Sequence, residues 1–447
     1  MTLKRNSKLF LVLFLGTLSA FGPFVTDLYL PALPTMSSYF NSSTSTIQLT
    51  LTGSMVGLAL GQLLIGPISD KYGRKNPLII SLIVYLISTI AIIIFPNVYA
   101  MIVLRFIQGV SSAGAVVISR AISTDLYNGR ELSAFFALLM AVNGLAPILS
   151  PILGSLLLEL TDWRGIFVTL ALIGIILLAV NFKFKESLAV EKRLDLPINK
   201  TYYSIVYVAK NGLFFALVII QGFALAAMFA YIAASPFILQ THYSLSPLMY
   251  SLCFGLNGFA IVLGSKNAGN FKEKVSIKLG LSLMLLVSIY LAVVLALTLP
   301  FLFIEAGFFL LLLGLGFILP AGSAIAMSLE HERAGSASSL LGFFPFLLGG
   351  IVSPLVGIGN IFYSSAIAIL VCSLVSYILF KLIENKKGNS LSCMGSLATI
   401  YETTASKALL VDKDIESFRK NIYVYSKLKL MSRDTRAYLA WKKMNLF

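Results

Sequence analysis

Three ionisable residues, Asp27, Arg105 and Glu305, lie inside long apolar stretches of this 447-residue chain. A charge at the centre of a bilayer costs roughly 2.5–3.5 kcal/mol even on a lenient insertion scale, so such residues usually have a function. Counted along predicted helices at about 1.5 Å per residue, all three lie roughly 10 Å from the same membrane face. Equal depth permits a pair between Asp27 and Arg105. A carboxylate whose pKa responds to burial and to a neighbouring cation can take up and release protons.

Each of these charges has a second interpretation. Asp27 can be an interfacial carboxylate that reaches the outer water. Arg105 can be a fixed counter-ion that holds the helices together, and Glu305 can belong to a structural pair instead of being a second proton-coupling acid. A counter-ion to a titrating acid serves both purposes, so the two interpretations of Arg105 overlap.

The composition indicates a polytopic membrane protein. The chain is 58% hydrophobic and 12% charged, with a mean hydropathy of +0.90, whereas soluble domains carry about 25% charged residues. The formal net charge of +15 follows from basic loops, so we predict no nucleic-acid partner. The sequence shows no Gly-Lys-Ser/Thr phosphate loop, no metal-ligand spacing and no nucleophile with a base. We therefore predict no enzymatic activity, no metal and no cofactor, and an ion gradient as the energy source.

Hydropathy, with breaks at Pro, Gly and charge clusters, predicts an all-α integral membrane fold of twelve transmembrane helices in two six-helix bundles. The predicted spans are 9–33, 47–69, 76–95, 98–121, 133–158, 163–184, 211–235, 246–265, 276–298, 300–323, 335–358 and 361–383. The corresponding domains are an N-terminal bundle at 1–184, a cytoplasmic linker at 185–210, a C-terminal bundle at 211–384 and a basic tail at 385–447.

The distribution of cations supports the span count and sets the orientation. Of the 22 Lys and Arg in residues 1–385, only Arg164 falls in an outer loop and only Arg105 within a span. The other cations lie at or near ends that the positive-inside rule assigns to the cytoplasm. We therefore expect both termini to be cytoplasmic.

A charged hinge, residues 66–75, joins the second and third spans, and it contains Gly66, Asp70, Gly73, Arg74 and Lys75. Glycine permits close helix approach and unusual backbone angles, while the charges lie within reach of one another and of anionic lipid. The G-x-x-x-D-K-x-G-R-K pattern resembles the loop signature of the major facilitator superfamily of secondary transporters. The resemblance implies a gating loop between helix bundles; a loop that only obeys the positive-inside rule is the alternative.

Two further motifs carry the same resemblance. Arg105, Gln108 and Gly109 resemble the span-four signature that the family associates with proton transfer. Pro147, Pro151 and Gly154 resemble the span-five motif of the family's antiporters, in which prolines free backbone carbonyls and let the helix bend; a merely kinked packing helix is the other interpretation.

Residues 27–34, the start of span six at Trp163 and the run at 334–340 together resemble the bicyclomycin and chloramphenicol resistance (Bcr/CflA-type) branch. The resemblance implies a proton-driven multidrug antiporter of a bacterial inner membrane, with amphipathic drug-like substrates. We expect the protein to act as a monomer. An exporter of one endogenous metabolite or siderophore, and a non-transporting sensor acting through its tail, are the alternatives.

Softer predictions concern the cavity and the tail. Side chains that could line an amphipathic substrate cavity are Tyr29, Gln62, Asn143, Gln221, Met228, Tyr231 and Asn257. Each of them is more often a packing residue than a substrate contact. The tail has 12 Lys and Arg against 5 Asp and Glu in residues 386–447. Apolar residues at helical spacing within 411–425 predict a basic amphipathic helix on anionic lipid; a poorly ordered tail is the alternative.

Overall fold

The computed structural model describes residues 8–127, 129–193, 198–330 and 333–408. Within these ranges the chain forms twelve helices of twenty residues or more, and no strand. They are α1 Lys8–Asp27, α2 Thr44–Tyr72, α3 Lys75–Ile94, α4 Val98–Leu126, α5 Gly129–Leu160, α6 Trp163–Lys183, α7 Gly212–Pro236, α8 Pro247–Ala268, α9 Glu273–Ala296, α10 Phe301–Leu329, α11 Ala334–Leu355 and α12 Ile361–Ala408.

Eleven of these helices are long and apolar enough, over their described residues, to cross a membrane. The remaining one, α5, contains the described apolar stretch Gly144–Leu160. The predicted all-helical membrane fold with twelve spans is therefore confirmed. A 3₁₀ turn at Val190–Lys192 and the helix Ile198–Ala209 lie between α6 and α7. The proposed division into 1–184, 185–210 and 211–384 stays a prediction.

The first predicted span, 9–33, is not one continuous helix. Helix α1 ends at Asp27, and a 3₁₀ turn at Leu30–Ala32 and a helix at Leu33–Tyr39 follow. Pro31 explains the interruption, because a proline ring collides with the carbonyl of the residue four positions earlier, which is Asp27. The apolar helical segment as a whole reaches Tyr39, so Asp27 lies in the interior of the membrane segment, at a break in its backbone.

Helices α2 and α4 pack closely because three glycines of α2 recur every four residues. A Cβ at Gly53 would lie 2.6 Å from the carbonyl oxygen of Ile102, and one at Gly61 would lie 2.5 Å from that of Val110. Between them, a Cβ at Gly57 would collide with the carbonyl of Phe106. Small residues at this spacing let helix backbones approach in a membrane, where dispersion contacts replace the hydrophobic effect. The contact fixes the position of Arg105 on α4.

The first six helices contact the last six mainly through two helix pairs, α2 with α11 and α5 with α8. At the end opposite the charged hinge, side chains of one group bond to backbone carbonyls of the other. Gln48 Nε2 donates to the carbonyl of Ala233 at 2.9 Å, and Ser45 Oγ donates to that of Pro354 at 3.0 Å. These bonds close that end of the bundle.

The described residues up to Lys381 form one compact unit, and a second unit begins at Leu382. Within the second unit α12 continues as a helix to Ala408, well beyond the predicted span end at 383. The amphipathic helix predicted around 411–425 lies outside the described residues.

Candidate functional site

Arg105 is the centre of a buried polar cluster between α1, α2, α3 and α4. Its side chain is fully buried, and Nη1 donates to Gln108 Oε1 at 2.5 Å. Gln108 in turn donates to Thr89 Oγ1 at 2.7 Å, while the guanidinium carbon lies 4.2 Å from the ring centroid of Tyr29. Arg105 Nη2 has no hydrogen-bond partner among the described residues. The cluster thus holds a cation by an amide and an aromatic face and keeps one donor group unused.

Asp27 is buried, with 7% of its surface exposed, yet it forms no ion pair with Arg105 within the described residues. The two charges lie near enough to interact electrostatically. The predicted direct pair is therefore absent in this conformation. A buried carboxylate without a bonded cation is costly unless it is protonated, which makes Asp27 the residue of this region best suited to bind a proton.

A second buried cluster surrounds Glu305 on α10. Asn257 Nδ2, from α8, donates to Glu305 Oε1 at 2.8 Å and to the Tyr231 hydroxyl oxygen, on α7, at 3.0 Å. The Tyr231 ring packs against Phe254 and Phe308, with centroid distances of 5.8 and 4.7 Å. Three helices therefore hold one carboxylate by an amide and an aromatic wall.

Tyr250 is a buried residue close to both acids. It is fully buried on α8, and it is within electrostatic range of both Asp27 and Glu305. The next residue, Ser251, donates to the carbonyl of Pro151 on α5 at 2.8 Å. The contact between α5 and α8 therefore lies near a residue that interacts with both carboxylates. The sequence does not single out Tyr250, because a tyrosine in an apolar span has the appearance of a packing residue.

The predicted antiporter motif lies beside the break in the first span. A Cβ at Gly154 would collide with the backbone carbonyl of Leu28, directly after Asp27. Pro151 supplies the carbonyl that accepts from Ser251, and Pro147 lies inside α5 one helical turn earlier. The motif thus joins α5 both to the backbone next to Asp27 and to α8.

The charged hinge forms a compact ionic network centred on Arg74. Arg74 donates to Asp125 through Nε at 2.9 Å and Nη2 at 3.2 Å, and its Nη1 donates to Asp70 at 2.5 Å and to Ser69 Oγ at 2.8 Å. Burial alone would lower the pKa of Arg74, but Asp125 and Asp70 hold that pKa above its ordinary value. The network connects the ends of α2, α3 and α4.

Glu186, which follows α6, completes this network by accepting from the backbone. Its Oε1 accepts from Arg74 N at 3.0 Å and its Oε2 from Lys75 N at 3.1 Å. Gly73 has φ +89°, and a Cβ there would lie 2.6 Å from Glu186 Oε2. Lys75 is not paired with Asp70; its Nζ donates to the carbonyl of Phe184 at 2.8 Å instead. Asp125 and Glu186 are the members of the network that sequence reasoning missed.

Two glycines of the predicted motifs differ in their packing. A Cβ at Gly109 would collide with the carbonyl of Ser54, so Gly109 is required for the contact between α4 and α2. Gly66 is not crowded, because a Cβ there would lie 3.7 Å from the nearest side-chain atom, on Val117. The close approach expected at Gly66 occurs instead at the glycines nearer the other end of α2.

The residues predicted to line a substrate cavity fall into two main groups: members of the two charge clusters and residues at contacts between helices. Members of the two charge clusters are Tyr29, Tyr231 and Asn257. Gln62 packs against Gly342 of α11, and Gln221 accepts from Ser323 of α10 at 3.1 Å. Met228 is half-buried. Asn143 lies on α5, and its side chain is outside the described part of the structure.

The chain forms a bundle of twelve membrane-spanning helices and buries Asp27, Arg105 and Glu305 within it. This architecture is typical of a membrane transporter. Comparisons with known proteins identify the family. The model of the Major Facilitator Superfamily matches residues 9–354, so the chain belongs to that superfamily. It is a multi-pass membrane transporter of small molecules and not an enzyme.

Two relatives and one solved structure illustrate the similarity. The uncharacterized MFS-type transporter YdgK of Bacillus subtilis (strain 168) is 36% identical over 362 residues, which cover 79% of this chain and 90% of that protein. The bicyclomycin resistance protein homolog of Haemophilus influenzae is 28% identical over 79% of this chain and 90% of its own length. The crystal structure of a bacterial homologue of the human lysosomal transporter Spinster has a TM-score of 0.67 at 12% identity and covers 86% of this chain and 98% of its own. The predicted Bcr/CflA-type resemblance is confirmed by relatives of this kind.

Proposed function

We propose that this chain is a proton-driven exporter of amphipathic, drug-like small molecules, in which Asp27 is the proton-coupling carboxylate. The observation that carries the proposal is the burial of Asp27 at a break in its helix, near Arg105 but not bonded to it. Relatives named as a bicyclomycin resistance protein homolog and a chloramphenicol resistance protein support the choice of substrate class.

The coupling follows from the electrostatics of the Arg105 cluster. A protonated Asp27 is neutral and tolerates burial, whereas a charged Asp27 attracts Arg105. The Nη2 of Arg105 has no hydrogen-bond partner within the described ranges of the chain. Loss of the proton therefore favours a different arrangement of α1 against α4. Gly154 would transmit that change to α5, since its backbone lies directly against Leu28. Proton binding and substrate release would thus share the contact between α5 and α8.

The ionic hinge supports alternating access in a different way. Arg74, Asp70, Asp125 and Glu186 join α2, α3, α4 and the segment after α6 at one end of the bundle. A joined end moves as one body. We propose that this end faces the cytoplasm, as the excess of Lys and Arg there predicts, and that the chain acts as a monomer in a bacterial inner membrane.

The test is growth inhibition across a drug panel in an efflux-deficient bacterial host that expresses wild type or Asp27→Asn to equal membrane levels. We expect the wild type to protect and Asp27→Asn to fold, insert and give no protection. Protection by both proteins would show that another acid couples export. Protection by neither would contradict drug export and favour an exporter of an endogenous metabolite.

The proton requirement has its own measurement. In everted vesicles preloaded with a quenched pH dye, addition of a transported drug should release protons from the acidified lumen with the wild type. Asp27→Asn should release none. Drug movement without proton movement in the wild type would refute the coupling.

A further inference from the structure

A groove on the surface of the first six helices has a cavity volume of about 620 Å³. Apolar side chains of α2, α3 and α4 line most of it, among them Ile65, Ile80, Val84 and Val110. Ligand sites in proteins typically have volumes of about 300–1,000 Å³, so the groove is large enough to hold a small molecule. Among the described residues, no member of the Arg105 or Glu305 cluster lines it. The groove is therefore separate from the candidate functional site.

The groove opens toward the lipid-facing side of α3. Ile80 belongs to a stripe that includes Ile87 and Ile94, and these side chains are 63%, 64% and 60% exposed. Residues seven positions apart lie on the same face of a helix. Because α3 is long and apolar enough to cross a membrane, this exposed face contacts acyl chains and not water. The membrane therefore offers the groove a hydrocarbon chain.

The end of the groove nearest the charged hinge is polar. Tyr72 is the last residue of α2, Asn76 is the second residue of α3, and Arg193 follows the 3₁₀ turn after α6. Val84 lies eight residues further along α3 than Asn76, which is roughly 12 Å at 1.5 Å per residue. The groove therefore runs from the hinge into the apolar layer, with its arginine at the hinge end.

Arg193 has a hydrogen-bond donor that the described residues do not use. Its Nε is buried and has no partner among them. Its Nη2 lies 3.9 Å from Glu186 Oε2, too far for a hydrogen bond, and the Glu186 carboxylate already accepts from the backbone N–H groups of Arg74 and Lys75. Buried donors in folded proteins nearly always have partners, so an acceptor belongs beside this guanidinium. The side chain is 30% exposed, so an acceptor from outside the protein can reach it.

A second cavity in the same half of the chain shows that the charge is specific to this groove. It has a volume of about 200 Å³ and lies between α1, α5 and α6, where Leu28, Leu156 and Ile173 are among its lining residues. Within the described ranges, no charged side chain lines it. An apolar cavity between helices of this bundle therefore needs no arginine, and the position of Arg193 calls for its own explanation.

We propose that the groove binds one anionic phospholipid of the adjoining membrane leaflet, with an acyl chain between α2 and α3 and the phosphate on Arg193. The planar guanidinium matches a phosphate group through two parallel N–H donors. A phospholipid joins such a phosphate to a hydrocarbon chain, whereas free phosphate would leave the apolar groove unfilled. Lys71, whose Nζ lies 5.8 Å from the ring centroid of Tyr72, adds a second cation near this end of the groove and favours an anionic headgroup.

The lipid site goes beyond the proposed export function, because the phospholipid would be bound and not transported. The residues that line the groove come from α2, α3, α4 and the segment after α6. The ionic hinge joins these same elements. The phospholipid would therefore move with this part of the bundle and add to its cohesion.

Binding is tested by native mass spectrometry of the purified full-length protein, which is delipidated in detergent and titrated with phosphatidylglycerol or with diacylglycerol that has the same acyl chains. We expect the wild type to bind its first phosphatidylglycerol about 10-fold or more tightly than diacylglycerol, because the charge-assisted hydrogen bonds to phosphate are absent from the latter. Arg193→Gln should remove most of this preference. Arg333→Gln is the matched control, since Arg333 packs on the Tyr207 ring at 4.0 Å and does not line the groove. It should retain the preference.

Two tryptophan variants test the groove itself. Ile80→Trp places a large ring in the groove and should weaken the binding of both lipids. Ile87→Trp, the matched control, makes the same change on the same face of α3 outside the groove and should bind both lipids as the wild type does. Both positions face lipid, so we expect neither variant to lower the melting temperature.

Equal binding of the two lipids by the wild type would overturn the proposal, and so would an unchanged preference in Arg193→Gln. Inorganic phosphate should not displace phosphatidylglycerol. Displacement would make Arg193 a site for free anions and overturn the lipid assignment. The measurement involves no transport, so a failure of drug export would refute the proposed function and leave the lipid site standing.

Discussion

Glu186 is expected to be a main determinant of stability at the charged hinge, although it lies in a linker and far from the hinge in sequence. The start of α3 has no side-chain cap of its own at Arg74. The Glu186 carboxylate takes that place, since it accepts from Arg74 N and Lys75 N at 3.0 and 3.1 Å. Its Oε1 also accepts from Ser187 N and Leu188 N at 2.9 and 3.1 Å. One carboxylate therefore satisfies four backbone donors and the positive end of a helix.

Glu186→Gln should lower the free energy of unfolding by about 2 kcal/mol. The amide nitrogen in place of Oε2 would face the N–H of Lys75, so one charge-assisted bond, worth roughly 1.5–3 kcal/mol, is lost. Loss of the negative charge at the helix N-terminus adds about 0.3–1 kcal/mol. The side chain is 23% exposed, so water recovers part of both contributions.

The assay is equilibrium unfolding of the purified protein in mixed micelles with an increasing fraction of denaturing detergent. Glu191→Gln is the matched control, because it makes the same chemical change at an exposed position in the same segment. If Glu186→Gln and Glu191→Gln unfold within about 0.5 kcal/mol of each other, as ordinary surface substitutions do, the capping role of Glu186 is refuted.

Two further predictions concern packing and charge. Gly57→Ala should destabilise the protein by about 1–3 kcal/mol or prevent its insertion, because the added Cβ collides with the Phe106 carbonyl. Gly66→Ala, the control, should be close to neutral. Equal melting temperatures for the two variants would contradict the tight contact between α2 and α4. Arg74→Lys should lower the free energy of unfolding by about 2 kcal/mol, because lysine cannot make the two-nitrogen contact with Asp125. A double-mutant cycle with Asp125→Asn should show a coupling energy of roughly 1–3 kcal/mol, and additive effects of the two substitutions would argue against the network.

The sequence was sufficient for the parts of this protein that depend on local composition. Apolar length and cation bias predicted twelve spans, and the cost of intramembrane charge singled out Asp27, Arg105 and Glu305. All three are buried in the structure. The glycines of α2 at intervals of four residues are also a readable sequence signal for close helix packing.

The remaining features depend on partners far apart in the chain. Asp125 and Glu186 had the appearance of ordinary charges at span ends, and only the fold places them on Arg74. The end of α1 at Asp27 was also missed, because hydropathy does not register a backbone break inside an apolar run. Its cause was nevertheless visible in Pro31, whose ring excludes the carbonyl four residues earlier.

The two buried charge clusters have opposite signs, and each leaves the complementary hydrogen-bonding capacity unused. In the part of the chain that the structure describes, Arg105 keeps a donor without an acceptor, whereas Glu305 and Asn257 keep acceptors without a donor. Each unsatisfied group costs about 1–3 kcal/mol or more when it is charged, and a purely structural bundle would gain stability by replacing them with apolar side chains. Their retention is understandable if another conformation, a proton or a substrate satisfies them in turn. The cost of the unsatisfied groups is then removed when Asp27 or the substrate changes its charge or position. Such a dependence is the requirement for coupling proton movement to substrate movement.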